Sequence, residues 1–263
     1  MKLFNTQNHT FHMVTVSPWP ILMSLNLMNM FLNTSQMFQF LTFNWLNIFT
    51  FYNLIIVMFM WWKDVNNESF MIGDHPMIIQ NLMKSGMILF ISSEVLFFVS
   101  FFWSFLHYSL SPNIELGSIW PPLNINMINP YNVPLLNTLI LLTSGISITW
   151  AHHNLTNNKS LMMMMFITIF LGLYFSHWQL IEYYHSSFSI NDSTFGSIFY
   201  MATGFHGLHV LIGSIFNIIV TIRLLFTHLS MTHHISFELS AWYWHFVDVI
   251  WLFLFILMYW WPF

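Results

Sequence analysis

Hydrophobic residues in this chain fall in long, nearly unbroken runs, separated by short stretches rich in Pro, Asn, Asp, His or Lys. Seven runs come close to or exceed the ~20 residues a helix needs to cross a ~30 Å hydrocarbon core. They predict spans at 18–38, 44–62, 77–107, 135–152, 161–184, 195–226 and 237–260. The first is the weakest. Asn26, Asn29, Asn33 and Gln36 recur at helical spacing and make one polar stripe, expected to face protein or lipid headgroups. The second closes on Trp61, Trp62, Lys63 and Asp64, an aromatic and basic interface anchor. Gly73, Asp74, His75 and Pro76 then predict a turn. The third run is about 31 residues, or roughly 46 Å as a helix. It must tilt or project beyond the bilayer. A Pro- and Asn-rich loop follows at 109–134, and the polar residues 1–17 read as a short exposed arm, neither signal nor transit peptide.

Composition sharpens this picture. The chain is 57% hydrophobic and only 5% charged, against about 25% charged residues in a soluble domain. The reading is an all-α, polytopic membrane protein. Its division is expected at 1–76, an arm with the first two spans, and 77–263, a five-helix bundle. There is no Cys, which excludes disulfides, Fe–S clusters and Cys-ligated copper. The abundance of Met and Phe needs no cause beyond nucleotide bias. With seven spans, Lys2, Lys63, Lys84, Lys159 and Arg223 all fall on one side. The positive-inside rule then places the N-terminus inside and the C-terminus outside.

Candidate chemistry lies in the polar residues within these runs, because an ionisable group in the membrane is costly unless it has a partner. Glu94, in GMILFISSEVLFF, shares a helical side with Phe98, Phe101 and Phe105. It reads either as a functional carboxyl or as a hydrogen-bonded packing residue. In the sixth span Gly196, Thr203, Gly207 and Ser214 form a small-residue stripe suited to close helix approach. Beside it, His206 and His209 read as a haem or metal pair or as interhelical hydrogen bonders. The seventh span carries AWYWHFVDVIWLFLF (241–255), the stretch around which the chain is organised. There Glu238, Trp242 and His245 share a stripe, with Asp248 three residues beyond His245. That set reads as a buried polar clasp or as a proton relay. Glu182 and His185 make a single E-x-x-H, whereas a di-iron bundle needs two with two further Glu. The pairs His152 and His153, and His233 and His234, sit at span ends, where interfacial solvation is expected.

The motifs HMVTVSPWP (12–20), WWKDV (61–65), GMILFISSEVLFF (86–98), ELGSIWPP (115–122), VPLLNTLILLTSGISITWAHH (133–153), ATGFHGLHV (202–210) and AWYWHFVDVIWLFLF (241–255) occur in one order along the chain. Together they resemble the cytochrome c oxidase subunit III family in its mitochondrially encoded form. Departures include Lys63 where Arg is more usual, and Asp74, His75 and Pro76 in place of a His- and Thr-rich turn. The resemblance implies seven helices, the first two splayed from the other five around a V-shaped cleft that holds phospholipids. It implies no haem and no copper on this chain. Those cofactors would belong to partner subunits, above all the catalytic subunit I on which this one would pack, with other oxidase subunits nearby. It also implies support of proton uptake and of stability during turnover, in the mitochondrial inner membrane with the N-terminus in the matrix. Carried over by position, Trp62, Lys63, Glu68, His75, Arg223 and His228 are lipid-binding candidates. Glu94 matches the family's carbodiimide-reactive carboxyl. His206, His209, Glu238, His245 and Asp248 remain buried structural polar groups, with no catalytic residue and no metal.

Two other classes stand beside this. A secondary transporter using Glu94 and the His245/Asp248 pair would need a continuous polar path, and no clear internal repeat supports it. A membrane metalloenzyme would need a converging ligand set.

Overall fold

The computed structural model describes residues 11–41, 45–114, 117–123 and 125–263. Lys2, most of the expected N-terminal arm and Glu115 and Leu116 of the ELGSIWPP motif lie outside the described residues. The described residues form seven helices and no strand. These are α1 (Trp19–Phe40), α2 (Trp45–Asn67), α3 (Met77–Leu110), α4 (Val133–Thr156), α5 (Met162–His185), α6 (Ser193–Leu225) and α7 (Ile235–Leu254). In hydrocarbon, backbone groups must be satisfied within the segment, so long apolar runs become helices. Six of the helices, α2 to α7, are long and apolar enough to cross a membrane. α1 is not among them, in keeping with the amide stripe that dilutes its hydropathy.

The chain divides into two compact units, Met1–Met83 and Lys84–Phe263. In the first, α1 and α2 pack side by side. Their lining is thin: α1 buries no residue, and α2 buries only Thr50 and Leu54. Polar bonds tie the start of α1 and the chain just before it to the end of α2 and the turn that follows. Trp19 Nε1 donates to Asp64 Oδ2 at 2.5 Å, and the Thr15 hydroxyl donates to Glu68 Oε1 at 2.8 Å. α2 runs further than its apolar pattern predicts, because Lys63, Asp64, Asn66 and Asn67 continue it as a polar turn. It then widens into a π-helical turn over Glu68–Ile72. Gly73 ends it with φ +78°, donating its N–H to the Glu68 carbonyl at 3.1 Å. Only glycine adopts that conformation without penalty.

The second unit is an up-and-down bundle whose two ends are fixed by side-chain pairs. At one end, the start of α3 meets the start of α7 through the Lys84–Glu238 ion pair. The end of α4 meets the start of α7 where His152 stacks on Phe237, ring centroids 5.4 Å apart. At the other end, Phe105 of α3 lies against Trp120, Phe195 of α6 and Trp261 beyond α7. Arg223 occupies the last turn of α6 and Glu238 the first turn of α7, each with the sign that suits its helix dipole.

Packing within this unit follows side-chain size. α4 to α7 approach closely at small residues. Trp244 of α7 is fully buried and donates through Nε1 to Ser144 Oγ of α4 at 2.9 Å. A methyl group on Gly172 of α5 would lie 2.5 Å from the Trp244 ring, and one on Gly213 of α6 would lie 2.9 Å from it. The indole thus keys three neighbouring helices. The expected stripe on α6 is shifted from this arrangement. Thr203 and Ser214 are buried, but Gly207 has open space around it, and the tight approach occurs at Gly213. A periodicity identifies a face and cannot say which glycine meets a ring. α3 packs differently, through aromatic side chains. Phe97 meets Phe205, Phe98 meets Phe246, and Phe102 meets Phe253. The hydroxyls of Ser92, Ser93, Ser100 and Ser104 donate to carbonyls three or four residues back on α3. Each is satisfied without a partner helix. α7 also ends in a π-helical turn, Phe255–Trp260, which brings both Met258 and Tyr259 into the core.

Candidate functional site

The polar groups of the second unit form several separate pairs rather than one cluster. His209 of α6 lies with Nε2 at 2.9 Å from Glu94 Oε2 of α3. Its Nδ1 is 2.6 Å from the Phe205 carbonyl, which fixes the ring. With Nδ1–H donating there, Nε2 carries a lone pair. A short contact to Glu94 then requires a proton on one partner or the other. Phe98 packs against the imidazole at 5.1 Å. This pair lines an apolar groove together with Met87, Phe90, Phe97, Phe205, Leu208, Ile212, Phe216 and Tyr243. The Glu94 side chain is a quarter exposed toward that groove, whereas that of His209 is 9% exposed. Glu94 is therefore partly rather than fully buried. It sits where α3 stands away from α6, held off by aromatic rings.

His206, one turn before His209, points the other way. Its Nε2 lies 3.2 Å from the Val247 carbonyl of α7, and its ring packs on Phe175 and Trp251. The two imidazoles thus engage different helices, and their nitrogens do not converge.

The seventh-helix set separates as well. Glu238 pairs with Lys84 and lies 3.3 Å from His234 Nε2. Asp248 is buried, with its carboxylate lying directly over Gly145 of α4. His245 departs from the expectation of a buried group: its side chain is 42% exposed and its Nδ1 is 3.9 Å from Asp248 Oδ2. Three residues on a helix turn the side chain by roughly 60°. While Asp248 faces α4, His245 is carried to the edge.

Glu182 occupies a network that its E-x-x-H spacing concealed. It is buried and accepts a hydrogen bond from the Tyr259 hydroxyl at 2.7 Å. Gln179 Nε2 lies 3.5 Å from that hydroxyl and Gln179 Oε1 3.5 Å from Asn137 Nδ2. Tyr183 donates to Thr203 at 2.7 Å. His185 is exposed and points elsewhere. Gln179, Glu182 and Tyr183 share one face of α5 by their three- and four-residue spacing, and that polar stripe was the available signal. The histidines at span ends also differ from simple solvation, because His152 Nε2 lies 3.4 Å from His234 Nε2.

The lipid candidates are placed separately in the two units. In the first, Trp62 and Lys63 are exposed near the end of α2. Glu68 already accepts from Thr15 and lies 3.3 Å from His12, while His75 packs edge-on against His12. In the second, Arg223 lies in the last turn of α6 with Nε buried and no acceptor among the described residues. His228 donates its backbone N–H to the Arg223 carbonyl at 2.9 Å.

Comparison with known proteins adds the rest. The sequence profile described as cytochrome c oxidase subunit III matches residues 9–263. Cytochrome c oxidase subunit 3 of Canis lupus is 50% identical over 259 residues, covering 97% of this chain and 98% of the relative. The proteins of that name from Hippopotamus amphibius and Equus caballus are each 51% identical over 257 residues, with the same coverage. A match of this identity over nearly the whole length of both chains, together with the family profile over residues 9–263, shows that the chain belongs to the cytochrome c oxidase subunit III family.

Proposed function

We propose that this subunit of cytochrome c oxidase is a non-redox core component. It packs on the catalytic subunit, holds phospholipids and sustains proton uptake and stability while its partner reduces oxygen. The observation that carries this reading is the pairing of polar groups within the spans. His209 closes on Glu94, His206 on a backbone carbonyl, and Glu182 on Tyr259. Side chains spent on one another across helices brace a bundle. Electron transfer then belongs to haem and copper in the partner subunits. The mitochondrial inner membrane is its location, with the N-terminus on the matrix side and the C-terminus on the outer side, as the one-sided distribution of lysine and arginine favours.

Phospholipid binding draws on separate features of each unit: Trp62, Lys63, Glu68 and His75 in one, Arg223 and His228 in the other. A buried guanidinium nitrogen at a helix end suits an anionic phosphate, which it meets through charge-assisted hydrogen bonds. Glu94 acts as a protonatable group bordering an apolar groove that suits acyl chains. The test is Glu94→Gln in the assembled oxidase. The amide still accepts from or donates to His209, so assembly and the haem absorption spectrum stay as in the wild type. Loss of the haem signal in that variant would contradict a ligand-free role for this chain.

A further inference from the structure

We propose that His152, His234 and Glu238 form a binding site for a zinc-class divalent cation, at the end of the bundle where α4 stops and α7 starts. The inference goes beyond the structural and lipid-binding reading, and none of the three residues serves that reading as a lipid candidate. They are the one group of three His, Asp or Glu side chains among the described residues whose ligand atoms lie within 4.8 Å of one another. His152 Nε2 and His234 Nε2 are 3.4 Å apart, and His234 Nε2 is 3.3 Å from Glu238 Oε1. A tetrahedral zinc with bonds near 2.0–2.1 Å sets adjacent ligand atoms roughly 3.3–3.4 Å apart. Two of the three separations therefore stand at the edge length of such a site, the third pair lies within 4.8 Å, and the fourth corner is left for water.

Proton bookkeeping points the same way. His234 Nδ1 lies 3.2 Å from the Ser230 carbonyl, an acceptor, so Nδ1 carries the proton and Nε2 offers a lone pair. A backbone carbonyl on the far nitrogen is the usual support of a metal-bound imidazole. In that tautomer the lone pair of His234 faces the Glu238 carboxylate at 3.3 Å, a juxtaposition of two acceptors that a metal ion between them satisfies. His152 can donate to His234 or turn its own lone pair to the same point. Lys84 neutralises the other oxygen of Glu238 and leaves Oε1 available. All three ligands are partly exposed, which gives an ion a way in. His234 and Glu238 share the first turn of α7, and His152 is held by its stacking on Phe237. Two imidazoles and a carboxylate favour zinc over magnesium or calcium, which prefer all-oxygen shells.

The test uses the assembled oxidase and zinc itself. Equilibrium dialysis with radioactive zinc is expected to show one more bound zinc per wild-type chain than in His234→Asn or His152→Asn. The missing site should weaken by about 100-fold or more, since even a supporting residue costs 10–100-fold. Equal zinc binding by wild type and variants overturns the proposal. Lys84→Met removes a competing positive charge and should tighten binding several-fold, and weaker binding would contradict the geometry. Should the histidine variants fail to assemble, carbethoxylation of the wild-type complex decides. Zinc, but not magnesium, should protect His152 and His234 while leaving the exposed His185 reactive. Absence of protection, or equal protection by magnesium, overturns the site.

Discussion

Gly172 gives the most direct test of how the bundle is built. Replacing its hydrogen by a methyl group puts a carbon 2.5 Å from Trp244 Cη2 and 2.8 Å from Ser214 Oγ, well inside van der Waals contact. The indole cannot retreat, because Gly213 already approaches its other edge and Ser144 holds its nitrogen. Gly172→Ala should therefore cost about 1–3 kcal/mol by overpacking. Losing the Trp244–Ser144 hydrogen bond adds about 1 kcal/mol, and the better helix propensity of Ala returns a similar amount. A net loss of about 1–3 kcal/mol is a roughly 5- to 150-fold shift in the equilibrium between packed and open bundles. Gly204 is the matched control: it lies in the same bundle with nothing within 4 Å of an added methyl. Gly204→Ala should be neutral or slightly stabilising. The assay is release of this subunit from the oxidase along a titration with sodium dodecyl sulfate, followed by quantitative mass spectrometry. Gly172→Ala should release at clearly lower detergent than both wild type and Gly204→Ala. Identical release of the two alanine variants would refute the account of Trp244 as a key between three helices.

Other expectations follow from single contacts. Tyr259→Phe removes the donor to Glu182 and leaves a buried carboxyl short of a partner, at about 1–3 kcal/mol; the same titration should show earlier release, with Glu182→Gln milder. Arg223→Gln should lower the phospholipid that co-purifies with the oxidase, measured by lipid mass spectrometry, and unchanged lipid would remove Arg223 from the headgroup assignment. Trp19→Phe breaks the bond to Asp64, so limited proteolysis should cut the segment before α1 sooner, at a cost of about 1 kcal/mol or less.

What could be read from the sequence was one-dimensional. The seven helices were legible because a hydrocarbon solvent imposes length and apolarity on each span independently of its neighbours. Boundaries shifted outward where polar residues extended a helix past its apolar run, as at Asn66 and Asn67 of α2. Pairing between helices was not legible. Glu94 and His209 are 115 positions apart, and Glu182 and Tyr259 are 77. A helical wheel gives the direction of each side chain and says nothing of what stands opposite. His245 shows the limit within a single helix: the three-residue spacing brings it to 3.9 Å from Asp248, yet only Asp248 faces α4 and His245 stays 42% exposed.

The widened turn at the end of α7 has a consequence for comparing related sequences. A wheel drawn at 100° per residue separates Leu254 from Tyr259 by about 140°. In the folded chain both are buried, because the turn closes over five residues rather than four. Faces assigned upstream of Phe255 therefore cannot be extrapolated to the C-terminus. Deleting one residue between 255 and 258 would set the tyrosine four positions after Leu254, about 40° away on an ordinary helix, and keep its hydroxyl toward Glu182, whereas the same deletion in a uniform helix would turn every later side chain by about 100°.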